Sequence, residues 1–200
     1  DAAVPVPEEA LKYLSEEHEV NDADTAIKLA LDIIAGDISD DADIRTWIRE
    51  LAAKEGVLIT TVVPAVKAEL EVSGERSVYE NYFEFAEKVD GLPGHRVLAI
   101  NRGENEKVLS VKLEAPVDKI EGRLFKDLKS SANKLTQQYI EEAASDAYKR
   151  LIAPSIETEI RNELTLGAQE GAINIFASNL EQLLMQPPIE GKTVLGWDPA

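Results

Sequence analysis

Ile140-Glu141-Glu142-Ala143-Ala144-Ser145-Asp146-Ala147-Tyr148-Lys149-Arg150-Leu151-Ile152-Ala153-Pro154-Ser155-Ile156-Glu157-Thr158-Glu159-Ile160 decides the fold class. Ile140, Ala144, Tyr148 and Ile152 recur every four residues, which places them on one face of a helix. Pro154 lacks a backbone donor and reads as an interruption. Ser155 restarts the pattern with Ile156, Ile160 and Leu164. The helical signal runs from about 133 to 186, through Ala172, Ile173, Phe176, Leu180, Leu183 and Leu184, and stops at Gln186-Pro187-Pro188. A chain with so long a run of this kind is mainly α.

Upstream, residues 8–19 read as a short acidic helix carrying Ala10, Leu11 and Leu14. Asn21 or Asp22 caps the next helix, whose stripe is Ile27, Ala30, Leu31 and Ile34, with Gly36 at its end. Ser39 or Asp40 caps another, with Ile44, Trp47, Ile48 and Leu51 on one face and Gly56 closing it. The result is a helical hairpin over about 22–56. As a helix-turn-helix its second helix would read DNA, but residues 40–55 carry more acids than bases, so an ordinary hairpin is expected. Residues 57–63 read as a strand, and Pro64 and Gly74 bracket a polar stretch. Tyr79, Tyr82, Phe83, Phe85 and Ala86 read as an aromatic helix, core rather than a base-stacking platform. After the Gly91-Leu92-Pro93-Gly94 break come a helix from His95 to Gly103, a strand over 108–113 and a helix over 117–130 with Ile120, Leu124 and Leu128 inward. The expected fold is multi-helical with a few short strands.

The chain has 200 residues, 44% hydrophobic and 30% charged, enough for one large domain or two small ones without a disulfide or metal staple. Cysteine is absent, which excludes disulfides, thiolate metal sites and cysteine catalysis. No apolar run approaches the ~20 residues of a membrane span, and the N-terminus lacks the basic start and apolar core of a signal peptide. Both ends read as cuts from a longer protein, and a cytoplasmic location is expected.

The net charge of −17 is unevenly spread. Residues 1–50 hold 14 acids and 4 bases, whereas residues 91–150 hold 9 acids and 11 bases. Within that basic third, Lys119, Arg123 and Lys126 share a helical face at i, i+4 and i+7. Catalysis needs a constellation, and His18 and His95 pair visibly with no nucleophile. Phosphate-loop, zinc-protease, dinucleotide and calcium-loop motifs are missing from the sequence. Asp37, Asp40, Asp41 and Asp43 lack the alternation and turn glycine of a calcium loop. No catalytic, cofactor or metal residues are therefore expected.

Two stretches carry a resemblance. One is Leu92-Pro93-Gly94-His95-Arg96-Val97-Leu98-Ala99-Ile100-Asn101-Arg102-Gly103. The other is Arg150-Leu151-Ile152-Ala153-Pro154-Ser155-Ile156, continuing through Ala172 to Leu184 and Gly191 to Pro199. Together with the hairpin at 24–55 they resemble the Tex family of bacterial RNA-binding transcription accessory proteins. That resemblance implies an N-terminal and central helical region over 1–190. It also implies the start of a truncated RNase H-like domain of the YqgF type over 191–200, with Thr193 to Trp197 as its first strand. Helix-hairpin-helix elements and an S1-type RNA-binding domain would lie downstream. Asp198 matches the family's aspartate at that strand end, although Ala200 stands where a glycine is expected. The family's RNase H-like domain is regarded as lacking a full nuclease site, so the resemblance implies no enzyme.

The first expectation is a non-catalytic scaffold that orders downstream nucleic-acid-binding domains, with contacts of its own from His95, Arg96, Arg102, Lys119, Arg123 and Lys126. The alternative is an acidic docking module for proteins of the transcription or translation machinery, using residues 1–56. A metal-dependent nuclease half-site at Asp198 comes third.

Overall fold

The computed structural model describes residues 4–15, 17–129, 133–187, 190, 191, 193 and 195–197. In chain order it contains α1 (Val6–Ala10), α2 (Ala23–Asp40), α3 (Ala42–Glu55), β1 (Val57–Val62), α4 (Pro64–Ser73), β2 (Glu84–Lys88), α5 (Gly94–Asn105), β3 (Leu109–Glu114), α6 (Val117–Lys129), α7 (Gln137–Asp146) and α8 (Ala153–Leu184). The architecture is mainly α with one small antiparallel sheet, as expected.

Pro154 does not break the long helix. A π-helical segment, Ala147–Ile152, joins α7 to α8, and the junction residues Ala147, Ile152 and Ala153 all keep right-handed helical angles. The π turn directly precedes the proline. Its wider winding makes room for the ring and shifts the ladder where the missing N–H falls. It also explains the four-residue stripe. An α-helix turns about 100° per residue, so a repeat of four drifts about 40° each time. The slower winding of a π segment cancels part of that drift. Ala144, Tyr148, Ile152, Ile156 and Ile160 consequently all stay buried across the junction.

These side chains meet Ala35 and Ile38 of α2, Ile48 and Ala52 of α3, and Ile120 and Leu124 of α6 in the larger of two core clusters. The smaller one joins Leu58, Leu92, Val97, Ile100 and Ala168, and Leu164 of α8 packs against both. Helix α8 thus ties the helical half to the sheet.

The hairpin forms as expected at its start, where the Asp22 carboxylate accepts from the Thr25 N–H at 2.7 Å. Gly36 does not end α2, which continues to Asp40. The cap of α3 is Asp41 rather than Ser39 or Asp40; it accepts from the N–H groups of Asp43 and Ile44, each at 2.9 Å. The expected 8–19 helix is shorter, because a 3-10 turn at Leu11–Tyr13 follows α1, and Ser15 and Val20 then pair as an isolated bridge closed at Glu19, φ 56°.

The sheet has the order β2-β1-β3, with Thr60 opposite both Phe85 and Val111. β1 falls where the β-branched apolar run placed it, and β3 where the alternation did. The aromatic stretch is not a helix. Glu80–Tyr82 makes a 3-10 turn and β2 follows, its half-buried Phe85 edge-to-face with Tyr82 at 5.5 Å. Backbone pairing with β1 outweighs a spacing that also fits a helix. The polar stretch is the helix α4, with Pro64 in its first turn and Gly74 as a left-handed cap at φ 69°. Gly103 lies inside α5, not at its end; a Cβ there would stand 2.7 Å from Leu109 Cδ1.

Beyond Ala168, α8 leaves the body. Every residue from 169 to 184 is exposed, including Ile173, Phe176 and Leu184. The expected strand over 193–197 finds no partner among the described residues, and Leu195 and Trp197 are exposed. Val194 and Asp198 lie outside the described residues.

Two glycines give opposite expectations. Gly56 has ordinary extended angles, but a Cβ there would sit 2.2 Å from the Ala52 carbonyl oxygen. Gly56→Ala should cost about 1–3 kcal/mol. Gly36 is mid-helix with nothing within 4 Å of a Cβ, so Gly36→Ala should add about 0.5–1 kcal/mol. Urea denaturation of both variants checks the signs.

Candidate nucleic-acid interface

The six basic residues sit on two helices. α5 starts after Pro93, and its Gly94 packs on Ala168 of α8, where a Cβ would meet Ala168 Cα at 3.1 Å. This small-on-small contact presses α5 onto α8. His95 is exposed at the first turn. Arg96 forms an ion pair with Glu87 of β2 and lies 5.9 Å from the Phe85 ring centre. Arg102 is exposed near Tyr79. Burial first, and then the Glu106 carboxylate, push the Tyr79 hydroxyl above its ordinary pKa, against the pull of Arg102.

On α6, Ile120 and Leu124 point inward and the basic stripe faces out. Lys119 binds Glu55 of α3 at 2.5 Å. That hydrogen bond holds the Glu55 carboxyl below its ordinary range, against a smaller opposing effect of burial. Arg123 stacks 4.2 Å from the Trp47 ring centre and reaches Asp127 at 3.4 Å. Lys126 is exposed and meets no carboxylate among the described residues. The two groups lie on helices that pack into different core clusters, α5 into the smaller and α6 into the larger, and Arg96, Lys119 and Arg123 each face a carboxylate.

Other cations lace the long helix to its neighbours; of these, Arg45 and Arg49 stand out in the sequence as sharing a helical face at i and i+4, too thin a signal for a DNA-reading helix. Arg161 forks onto Glu104 of α5, with one arm at 3.0 Å. Arg45 reaches Ser155 at 2.7 Å and Glu159 at 3.1 Å, and Arg49 pairs with Glu163. Arg150 bridges Asp146 and Asp32 at 2.6 and 2.7 Å. Lys149 meets Glu121 at 3.0 Å. Only Asp146 and Arg150 are close enough in sequence, at i and i+4, to be read as a pair.

Among the described residues no group of three or more acids or histidines could hold a metal ion, and Asp41 of the acidic cluster is occupied as a helix cap. A cleft of about 510 Å³ beside the π segment is lined by Ile48, Leu113, Tyr148, Lys149, Pro154 and Glu157, among others. No histidine, serine or threonine lines it, and Glu157 accepts the Leu113 N–H at 3.0 Å. No described helix is long and apolar enough to cross a membrane.

Truncating the stripe separates packing from charge. Arg123→Ala removes the stacking on Trp47 and should cost about 1 kcal/mol, whereas Lys126→Ala should stay within about 0.5 kcal/mol in the same denaturation assay. The carboxylates around the π segment set the acid response. Burial tends to raise Glu121, but Ser145 and Lys149 outweigh it and hold the carboxyl low; the Arg150 hydrogen bond does the same for Asp146. Lowered folded-state pKa values give stability that is present above the unfolded carboxylate pKa and lost as pH falls through the folded one. Tm measured downward from pH 6 should therefore drop below about pH 4.5, and less steeply in Glu121→Gln.

Comparison with known proteins gives the family. Residues 1–176 match the family described as Tex central region-like. Over 94% of its length the chain is 44% identical to YdcI of Bacillus subtilis, covering 26% of that protein. It is 31% identical to the transcriptional accessory protein Tex of Neisseria gonorrhoeae over 94% of the chain and 24% of the relative. It is also 31% identical to the human S1 RNA-binding domain-containing protein 1, over 84% of the chain and 17% of the relative. The chain spans about a quarter or less of these relatives. A matched family region over most of the chain, with the α5 segment and the greater part of the long helix inside it, makes this chain a member of the Tex family.

Proposed function

We propose that this chain is a non-catalytic helical scaffold within a cytoplasmic transcription accessory protein, with nucleic acid bound mainly by domains outside it. The observation that carries the reading is the free half of α8. Sixteen consecutive residues, 169–184, stand exposed for about 24 Å of helix, with Ile173, Phe176, Leu180, Leu183 and Leu184 unburied. A helix with so much apolar surface outside the body is a seat for further polypeptide. The relatives are much longer than the matched region, and further polypeptide of that kind would take this seat. On this reading residues 1–190 are the scaffold and 191–200 open an RNase H-like domain.

Two names support the nucleic-acid side: one relative is called a transcriptional accessory protein and another an S1 RNA-binding domain-containing protein. Within this chain, Lys126 together with the partly neutralised Lys119 and Arg123 forms a secondary contact face, and His95, Arg96 and Arg102 form another. Residues 1–50, with 14 acids against 4 bases, repel phosphates. Proteins of the transcription machinery are the further partners.

Fluorescence anisotropy with single-stranded RNA, single-stranded DNA and duplex DNA, at low salt and at about 0.15 M, tests this. Full-length YdcI should bind, and the 200-residue chain should bind at least about tenfold more weakly and only at low salt. Equal affinity of the two would overturn the reading.

A further inference from the structure

Among the described residues, one side of α2 is exposed at Leu29, Ile33, Asp37 and Asp40. Ile27, Leu31, Ala35 and Ile38 turn toward the body, and Ala35 and Ile38 are buried. On the opposite side, helical spacing aligns Ala26, Leu29, Ala30, Ile33, Gly36, Asp37 and Asp40. Leu29 is 46% and Ile33 67% exposed, one turn apart. Next to them Gly36 leaves open space, with nothing within 4 Å of a Cβ. Asp37 and Asp40 end the face and meet no cation among the described residues. α1 and the turn after it pack on α2 and expose Leu11, Tyr13 and Leu14 as well.

Charge selects the occupant. The first 50 residues hold 14 acids against 4 bases. Three of those bases are already committed: Lys12 to Glu9, Arg45 to Glu159 and Arg49 to Glu163. The fourth, Lys28, lies off the face by helical spacing. Nucleic acid is repelled by such a field, and a second copy of this chain would bring the same negative charge against it. We infer that the Leu29–Asp40 face of α2 docks a basic amphipathic segment of a partner protein. The segment's apolar side would lie on Leu29 and Ile33 and its Lys or Arg side chains against Asp37 and Asp40. This surface is independent of the scaffold reading, since it lies on the far element of the chain from the free end of α8.

The test uses the 200-residue chain and three labelled peptides: an amphipathic Leu/Lys helix, its Leu/Glu counterpart, and a Lys/Ser peptide of the same charge without apolar residues. The Leu/Lys peptide should bind, with amide chemical-shift changes centred on residues 26–40, and the other two should bind about tenfold or more weakly. Leu29→Ser with Ile33→Ser should weaken binding about tenfold; both side chains are exposed, and unchanged circular dichroism confirms folding. Asp37→Lys with Asp40→Lys should weaken it and flatten its salt dependence, while Phe176→Ser on α8 should change nothing. Equal binding of the Lys/Ser peptide, loss through Phe176→Ser, or self-association of the chain through Ile33 would each overturn the assignment. Nucleic-acid affinity plays no part in these readings, so failure here leaves the scaffold reading standing.

Discussion

The winding of Ala147–Ile152 is the constraint on which the rest depends. A helix that ran as pure α from Gln137 onward would rotate its four-residue stripe off the core, and Pro154 would have no accommodating turn. The π segment solves both problems at one place. It keeps Tyr148 and Ile152 facing the same interior as Ile156 and Ile160, and so lets one continuous helix serve both core clusters. The ion pairs Lys149–Glu121 and Arg150–Asp32 then fix that segment to α6 and α2 from outside. Exposed pairs of this kind contribute little each; burial carries the stability, and the pairs fix rotation.

Elements whose patterns are set by one inside and one outside face were legible in the sequence. β1, β3 and α6 are of this kind: the alternation at Leu109, Val111 and Leu113 and the Ile120, Leu124, Leu128 spacing each admit one reading. β2 was illegible because Tyr79, Tyr82, Phe83 and Phe85 satisfy both a helix and a turn followed by a strand, and pairing with β1 decides. α4 was missed because its exposed surface leaves no clear apolar stripe. The four-residue repeat was the visible trace of the π segment, but a proline at its end looks like a break unless the repeat length is weighed against 3.6.

The candidate site was legible as a pattern and not as an environment. The basic stripe at Lys119, Arg123 and Lys126 is real and exposed. Its neutralisation is not local: Lys119 meets a glutamate 64 residues away, and Arg123 lies on Trp47 from another helix. Sequence proximity shows Arg123 and Asp127, and nothing of the rest. The chain accordingly concentrates its positive charge in pairs that join elements, while its least neutralised charge is the acidity around α2. Among the described residues, exposed apolar helix surface lies at the end of α8 and along one side of α2.

α8 is one continuous helix, Ala153–Leu184, and on the proposed scaffold reading its exposed outer half is a seat for further polypeptide. Hydrogen exchange read by mass spectrometry on the 200-residue chain and on full-length YdcI tests it most directly. In the chain alone, amides over 140–168 should be strongly protected and those over 169–184 should exchange quickly; in the full-length relative the equivalent segment should become protected as well. Fast exchange of that segment in both proteins would contradict the account, as would strong protection of it in the chain alone as a monomer.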